Sequence, residues 1–147
     1  MTLTDQSFSL YQTRIAQSLI LLRYGVGLVF LMWTVDKFIN PEHTISVFER
    51  FYKIPGLGIT AAYAIGFVQL LFVIAFLTGA FKKYSYGFLF ILHTLSTLST
   101  YSKILDPWSP PNLLFYTAVP MLAALWALWS LRELDTCLSF DARKPTN

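Results

Sequence analysis

Four times along this chain the charges and turn signals give way to an apolar run of about twenty residues, the length at which a helix spans a bilayer. The runs occupy 19–38, 59–81, 84–101 and 113–131. At about 1.5 Å of rise per residue, such runs cross roughly 30 Å of hydrocarbon while satisfying their own backbone hydrogen bonds. The composition, 55% hydrophobic and 13% charged over 147 residues, points the same way, because one core of that size could not hide so much apolar surface. The expected fold is therefore all-α: an integral-membrane four-helix bundle forming a single domain over 1–147. No soluble catalytic domain fits beside it. Residues 1–18 are polar and mixed, with Asp5 and Arg14. No small-residue cleavage pattern follows the first span, so this segment is expected to be retained.

Basic residues near the span ends divide unequally. Arg14, Arg23, Lys82, Lys83, Arg132, Arg143 and Lys144 fall on one side, against Lys37, Arg50, Lys53 and Lys103 on the other. The positive-inside rule then places both termini in the cytoplasm, and the expected location is a bacterial inner membrane with multiple passes. Cys137 falls in the cytoplasmic tail, where a thiol stays free, and one cysteine makes no intrachain disulfide. The net charge of +3 suits anchoring among membrane lipids and makes no case for nucleic acid.

The two elaborate connections lie on the outer side. In 40–58, Ile45, Phe48, Phe51 and Tyr52 recur at helical spacing beside Glu42, Glu49, Arg50 and Lys53, which predicts an interfacial amphipathic helix with its aromatic side down. Asn40-Pro41-Glu42 provides the start and Pro55-Gly56 the stop. The segment 106–112, with Pro107, Pro110 and Pro111, cannot be helical through its prolines and is expected to form a stiff lid over the same face. Small residues mark expected helix contacts: Gly25 and Gly27, Ala62 and Gly66, Ala123 and Ala127. Pro120 removes a backbone donor and predicts a bend in the fourth span, with the Tyr116 carbonyl freed. Trp33, Trp108, Trp126 and Trp129 read as interfacial anchors.

Polar residues inside the spans need a reason to be there. Only residues 24–35 separate Arg23 from Asp36 and Lys37, about 18 Å of helix, so at least one charged end must dip inward. Arg23 and Lys37 project within about 40° of each other and cap opposite ends of one face. They are read either as end anchors or as the ends of a polar cavity for an anionic ligand. Asp36 is expected to pair with a neighbouring cation. His93 and Gln69 fall at matching depth near mid-membrane on antiparallel helices, and His93, Thr97 and Thr100 share a face. A histidine there can bond its neighbour Gln69 or a hydroxyl, or can hold a quinone carbonyl or relay a proton to it. The polar groove is thus expected to involve Arg23, Asp36, Lys37, Gln69, His93 and Thr97. No ligand spacing for a metal or haem occurs, since the other histidine, His43, is in the outer connection.

As a string, LLRYGVGLVFLMWTVDKF resembles the first helix of the DoxX family of small four-helix membrane proteins, with Arg23, Gly25, Phe30 and Lys37 at the marked places. The second run, GFVQLLFVIAFLTGAFKK, resembles that family's second helix through Gln69, Gly79 and Lys82. Two places differ: Trp33-Thr34 stands where a glycine is usual, and Gln69 where a glutamate is usual. The resemblance implies a group that includes the DoxD-type membrane subunit of thiosulfate:quinone oxidoreductase. Fold similarity does not transfer a reaction.

The expected function is an accessory integral-membrane subunit of a redox or respiratory complex, without an intrinsic cofactor. Its groove would be open to lipid or quinone, and its outer loops would dock a larger membrane or periplasmic redox protein. Two alternatives stand beside it. One is a quinone-reducing oxidoreductase subunit acting on a small sulfur anion drawn by Arg23 or Lys37; the other is a structural scaffold or small carrier.

Overall fold

The computed structural model describes residues 3–143, with side chains placed from residue 8. The Asp5 side chain and Lys144 therefore lie outside the described residues. Among the described residues there are helices and no strands. Helix α1 runs Leu3–Ile39, α2 Pro41–Val47, α3 Ile59–Thr78, α4 Lys82–Ser99, α5 Tyr101–Leu105 and α6 Ala118–Ser130. A π-helical turn, Phe48–Tyr52, continues α2, and a 3-10 helix, Asn112–Thr117, leads into α6. Three of these stretches are long and apolar enough to cross a membrane: Phe8–Ile39, Ile59–Thr78 and Asn112–Ser130. The protein is a multi-pass membrane protein. Helix α4 is less apolar, because it carries two lysines at its start and hydroxyls through its second half.

Helix α1 is much longer than the first apolar run. Residues 3–18 are helical rather than a polar prelude, since no glycine or proline interrupts them and the Thr13 and Ser18 hydroxyls turn back onto the helix. Thr13 Oγ1 donates to the Ser9 carbonyl and Ser18 Oγ to that of Arg14, each at 3.0 Å. The helix ends where Pro41 disfavours helical geometry at Asn40. Pro120 falls in the first turn of α6, where a missing N–H costs least. Ahead of it the helix changes from 3-10 to α geometry at 117/118.

The long helices pack in a cycle, α1 on α3, α3 on α4, α4 on α6 and α6 back on α1. Their shared core is Leu19, Val26 and Phe30 from α1, Val73 and Phe76 from α3, Tyr86 and Leu89 from α4, and Leu125 and Leu128 from α6. Small residues allow close approach at some of the expected places. A Cβ on Gly27 would strike Leu77, one on Gly66 would meet Lys37 and Phe38 at 3.1–3.2 Å, and Ala62 is fully buried. Gly25 has nothing near it and Ala123 is exposed, so these two face away from the helix contacts.

One end of the molecule is tied by its own tail. Arg23 is fully buried and so does not snorkel to the surface. Its Nη1 donates to Asp135 Oδ2 at 3.0 Å and to the Tyr86 hydroxyl at 3.3 Å, while Nη2 donates to the Cys137 and Leu138 carbonyls at 2.7 and 3.2 Å. Tyr86 donates to the same carboxylate oxygen at 2.6 Å. Lys82 Nζ donates to the Arg132 and Asp135 carbonyls at 2.9 and 3.2 Å. The tail in turn satisfies the last carbonyls of α3: Phe140 N–H donates to Thr78, and Asp141 N–H and Ser139 Oγ to Gly79. Gly79 is required twice over. Its φ of +63° is left-handed, and a Cβ there would lie 2.5 Å from Arg23 Nη1.

Removing one member of a buried pair leaves an uncompensated charge, costing about 3–5 kcal/mol, whereas an apolar replacement of both is often neutral. Asp135→Ala is therefore expected to lower the thermal midpoint in detergent micelles sharply, and Arg23→Met combined with Asp135→Leu to recover most of the loss. An Asp135→Ala midpoint equal to that of the unsubstituted chain would show that the pair does not hold this end.

Candidate functional site

At the opposite end of α1 the helices part around a cavity of about 230 Å³. Helix α1 lines it with Phe30, Trp33, Asp36 and Lys37, whose spacing sets Phe30, Trp33 and Lys37 along one face. Helix α3 contributes Ile65 and Gln69, one turn apart, and α4 contributes Leu92, His93 and Ser96. The first long connection forms the roof. Thr44, Val47 and Phe48 of the α2 face, with Tyr52 from the π turn, point into the space, and Phe48 stacks on Tyr52 with centroids 4.9 Å apart. Single π turns recur at functional sites because they re-aim side chains within a helix.

The segment 40–58 thus starts at Asn40-Pro41 and closes at Pro55-Gly56 as its sequence suggests, but part of its aromatic side covers a cavity. Phe51 instead meets Phe115 at 6.0 Å and joins the two long connections. The proline-rich segment 106–112 forms turns closed by Asn112 Nδ2 donating to the Asp106 carbonyl at 2.8 Å. None of its residues lines the cavity.

Four of the six residues expected in the groove meet there: Asp36, Lys37, Gln69 and His93. Arg23 does not, because it is spent on Asp135 at the far end. Thr97 does not line the cavity either; its hydroxyl donates to the His93 carbonyl at 2.8 Å. Thr94, Ser99 and Thr100 likewise bond back to carbonyls of their own helix. This hydroxyl ladder is closed on itself.

His93 is 3% exposed and Gln69 5%, so the matching depth read from the sequence places both in one wall, yet they do not bond each other. His93 Nε2 lies 3.3 Å from the Ala118 carbonyl. A carbonyl only accepts, so Nε2 carries the proton and Nδ1 presents a lone pair. That Nδ1 is buried and has no partner. The imidazole is held by two rings of α1: it stacks on Trp33 at 5.9 Å and meets Phe30 edge-on at 5.9 Å. Reading Trp33 as an interfacial anchor missed this. Its place three residues after Phe30 and four before Lys37, on one helix face, is the signal that would have found it.

The charges divide their work. Asp36 accepts from Asn40 Nδ2 at 3.0 Å and pairs with His43 Nδ1 across the α1–α2 corner. Its partners are thus Asn40 and His43, and these contacts fasten the roof. Lys37 Nζ donates to the Trp33 carbonyl at 3.2 Å and, among the described residues, has no carboxylate partner. Below the cavity the apolar core closes the way, with Val26, Phe30, Val73, Phe76 and Leu89 all buried.

Residues 15–106 match the family model described as methylamine utilisation protein MauE. The match takes in every residue that lines the cavity and Arg23, and it stops before α6 and the tail that supplies Asp135. No curated protein and no solved structure matches the chain.

The Asp36 contacts are largely exposed, and pairs of that kind contribute up to about 1 kcal/mol. Asp36→Ala is expected to leave the fold intact but to speed amide exchange across residues 41–52 by roughly two- to fivefold, as local opening of the roof becomes easier. Exchange mass spectrometry reads this directly, and unchanged protection of 41–52 would mean that packing alone holds the roof.

Proposed function

We propose that this chain, which belongs to the MauE family, is an accessory integral-membrane protein of a redox pathway that takes the ring head of a quinone-family lipid into the cavity beside His93. The family's description ties it to methylamine utilisation. One observation carries the reading: a small aromatic-walled cavity brings together Lys37, Gln69 and a buried imidazole with a free nitrogen. Its size supports a single ring. A cavity of about 150 Å³ holds benzene, and sites for drug-sized molecules run from about 300 Å³ upward. The space of about 230 Å³ suits a substituted ring whose tail leaves toward the lipid.

The reading takes α1, α3, α4 and the Asn112–Ser130 stretch as four spans of one domain, with both termini inside. Helix α4 buries Ser85, Tyr86, Leu89 and His93 between its neighbours, and its 18 residues give about 27 Å of length. Arg14, Arg23, Lys82, Lys83, Arg132 and Arg143 cluster toward the tail end, against Lys37, Arg50, Lys53 and Lys103 toward the roof. The convergence of Arg23, Gly79 and Lys82 at the tail end supports the same topology. The roof, joined to the second connection through Phe51 and Phe115, would then face a periplasmic redox partner in a bacterial inner membrane.

A second reading, an oxidoreductase subunit acting on a small sulfur anion, rests on Lys37, whose ammonium lines the cavity without a carboxylate partner. Arg23 cannot share that role from the far end. The carrier reading is disfavoured by the apolar floor and by the hydroxyls that bond within α4.

Gentle solubilisation from the source membrane tests the leading reading. The chain is expected to co-purify with a larger redox protein and with quinone-family lipid in an amount comparable to its own. Recovery of the chain alone, with neither, would end this proposal.

A further inference from the structure

His93 lines the cavity and keeps a buried ring nitrogen without a partner, a combination that selects among ring ligands. Resting on the ring-site reading above, we infer that the cavity takes a ring bearing a hydroxyl, a phenol or the reduced hydroquinol form, in preference to the oxidised dione. Hydrogen-bond polarity makes the selection. Nε2 of His93 must carry the proton because its neighbour, the Ala118 carbonyl, can only accept. Nδ1 is then an acceptor, and it is buried with no donor facing it.

Of the residues that line the cavity, His93 is the one with a buried side-chain nitrogen or oxygen lacking a partner, among the described residues. A buried acceptor left unmade costs its full desolvation, so an occupant that brings a donor is favoured over one that does not. A dione brings two carbonyl oxygens, and either one set against Nδ1 opposes lone pair to lone pair. A ring hydroxyl donates to it. At the same cavity Lys37 Nζ, whose hydrogen bond goes to the Trp33 carbonyl, and the Gln69 amide can donate to the oxygen on the far side of the ring. Trp33 and Phe30 pack against the imidazole, and the contact of Nε2 with the Ala118 carbonyl leaves Nδ1 as the acceptor.

Three probes of nearly equal shape separate the possibilities: 2,3,5-trimethylphenol, its methyl ether, and trimethyl-1,4-benzoquinone. Their binding to the full chain in lipid nanodiscs is measured by equilibrium dialysis, corrected for uptake by protein-free nanodiscs. A neutral hydrogen bond is worth roughly two- to tenfold in affinity. The phenol is therefore expected to bind about three- to tenfold more tightly than the ether and the quinone. His93→Phe, which keeps a ring against Trp33 but has no acceptor, is expected to erase that difference.

Equal binding of all three probes, or tighter binding of the ether or quinone, would overturn the hydroxyl preference while leaving a ring site in place. A phenol preference that survives in His93→Phe would overturn it as well, by assigning the preference to another group. Absence of binding by all three would remove the ring site itself. If His93→Phe does not fold, the comparison of the three probes on the unsubstituted chain still decides.

Discussion

A guanidinium buried in a membrane protein is tolerable only when its donors are used, and Arg23 organises one end of this molecule by that requirement. Its two terminal nitrogens reach a carboxylate, a tyrosine hydroxyl and two backbone carbonyls, three of these four acceptors lying on the tail after α6. Nε of Arg23 and Oδ1 of Asp135 remain unpartnered, so the network is strong without being complete. Desolvation of so many polar groups makes the arrangement cooperative, since withdrawing any one strands the rest. Through Gly79, Lys82 and Tyr86, the same cluster fixes the turn between α3 and α4 and pulls the tail against it.

The opposite end is built on other terms. There α1 meets a short roof through an exposed corner, and the side chains that line the cavity are mostly apolar, with a few polar groups among them. Gly66 lets α3 come close to Lys37 and Phe38, which sets the width of the opening at that level. A tightly tied end and a loosely roofed end follow from where one helix places its charges: Arg23 deep among acceptors, Asp36 and Lys37 at the rim. The apolar layer between them separates the two polar regions.

Much of this was legible in the chain and some was not. Helix type and approximate spans follow from the apolar runs, and the depth match of Gln69 and His93 follows from helical rise across a tight turn. The start and stop of the roof were marked by Asn40-Pro41 and Pro55-Gly56. What escaped was long-range pairing. Nothing local to Arg23 points to Asp135, because the tail reads as a polar end and its return onto α3 and α4 depends on carbonyls that a string of letters does not display. The contact of Trp33 with His93 escaped for a related reason: a tryptophan near a span end satisfies the interfacial rule, and its place beside the cavity shows only in the packing. The helical state of residues 3–18 was not predicted because the apolar runs mark only the stretch that spans, although nothing in that segment breaks a helix.

The state of the His93 imidazole is where the account is most exposed. Nitrogen-15 NMR of the chain labelled at histidine, in lipid nanodiscs, distinguishes a protonated ring nitrogen from a bare one. With His43→Gln used to assign the two residues, the account requires that His93 carry its proton on Nε2 and leave Nδ1 bare, and that the Nδ1 signal move when a ring hydroxyl is supplied. A proton found on Nδ1, with Nε2 bare, would contradict it.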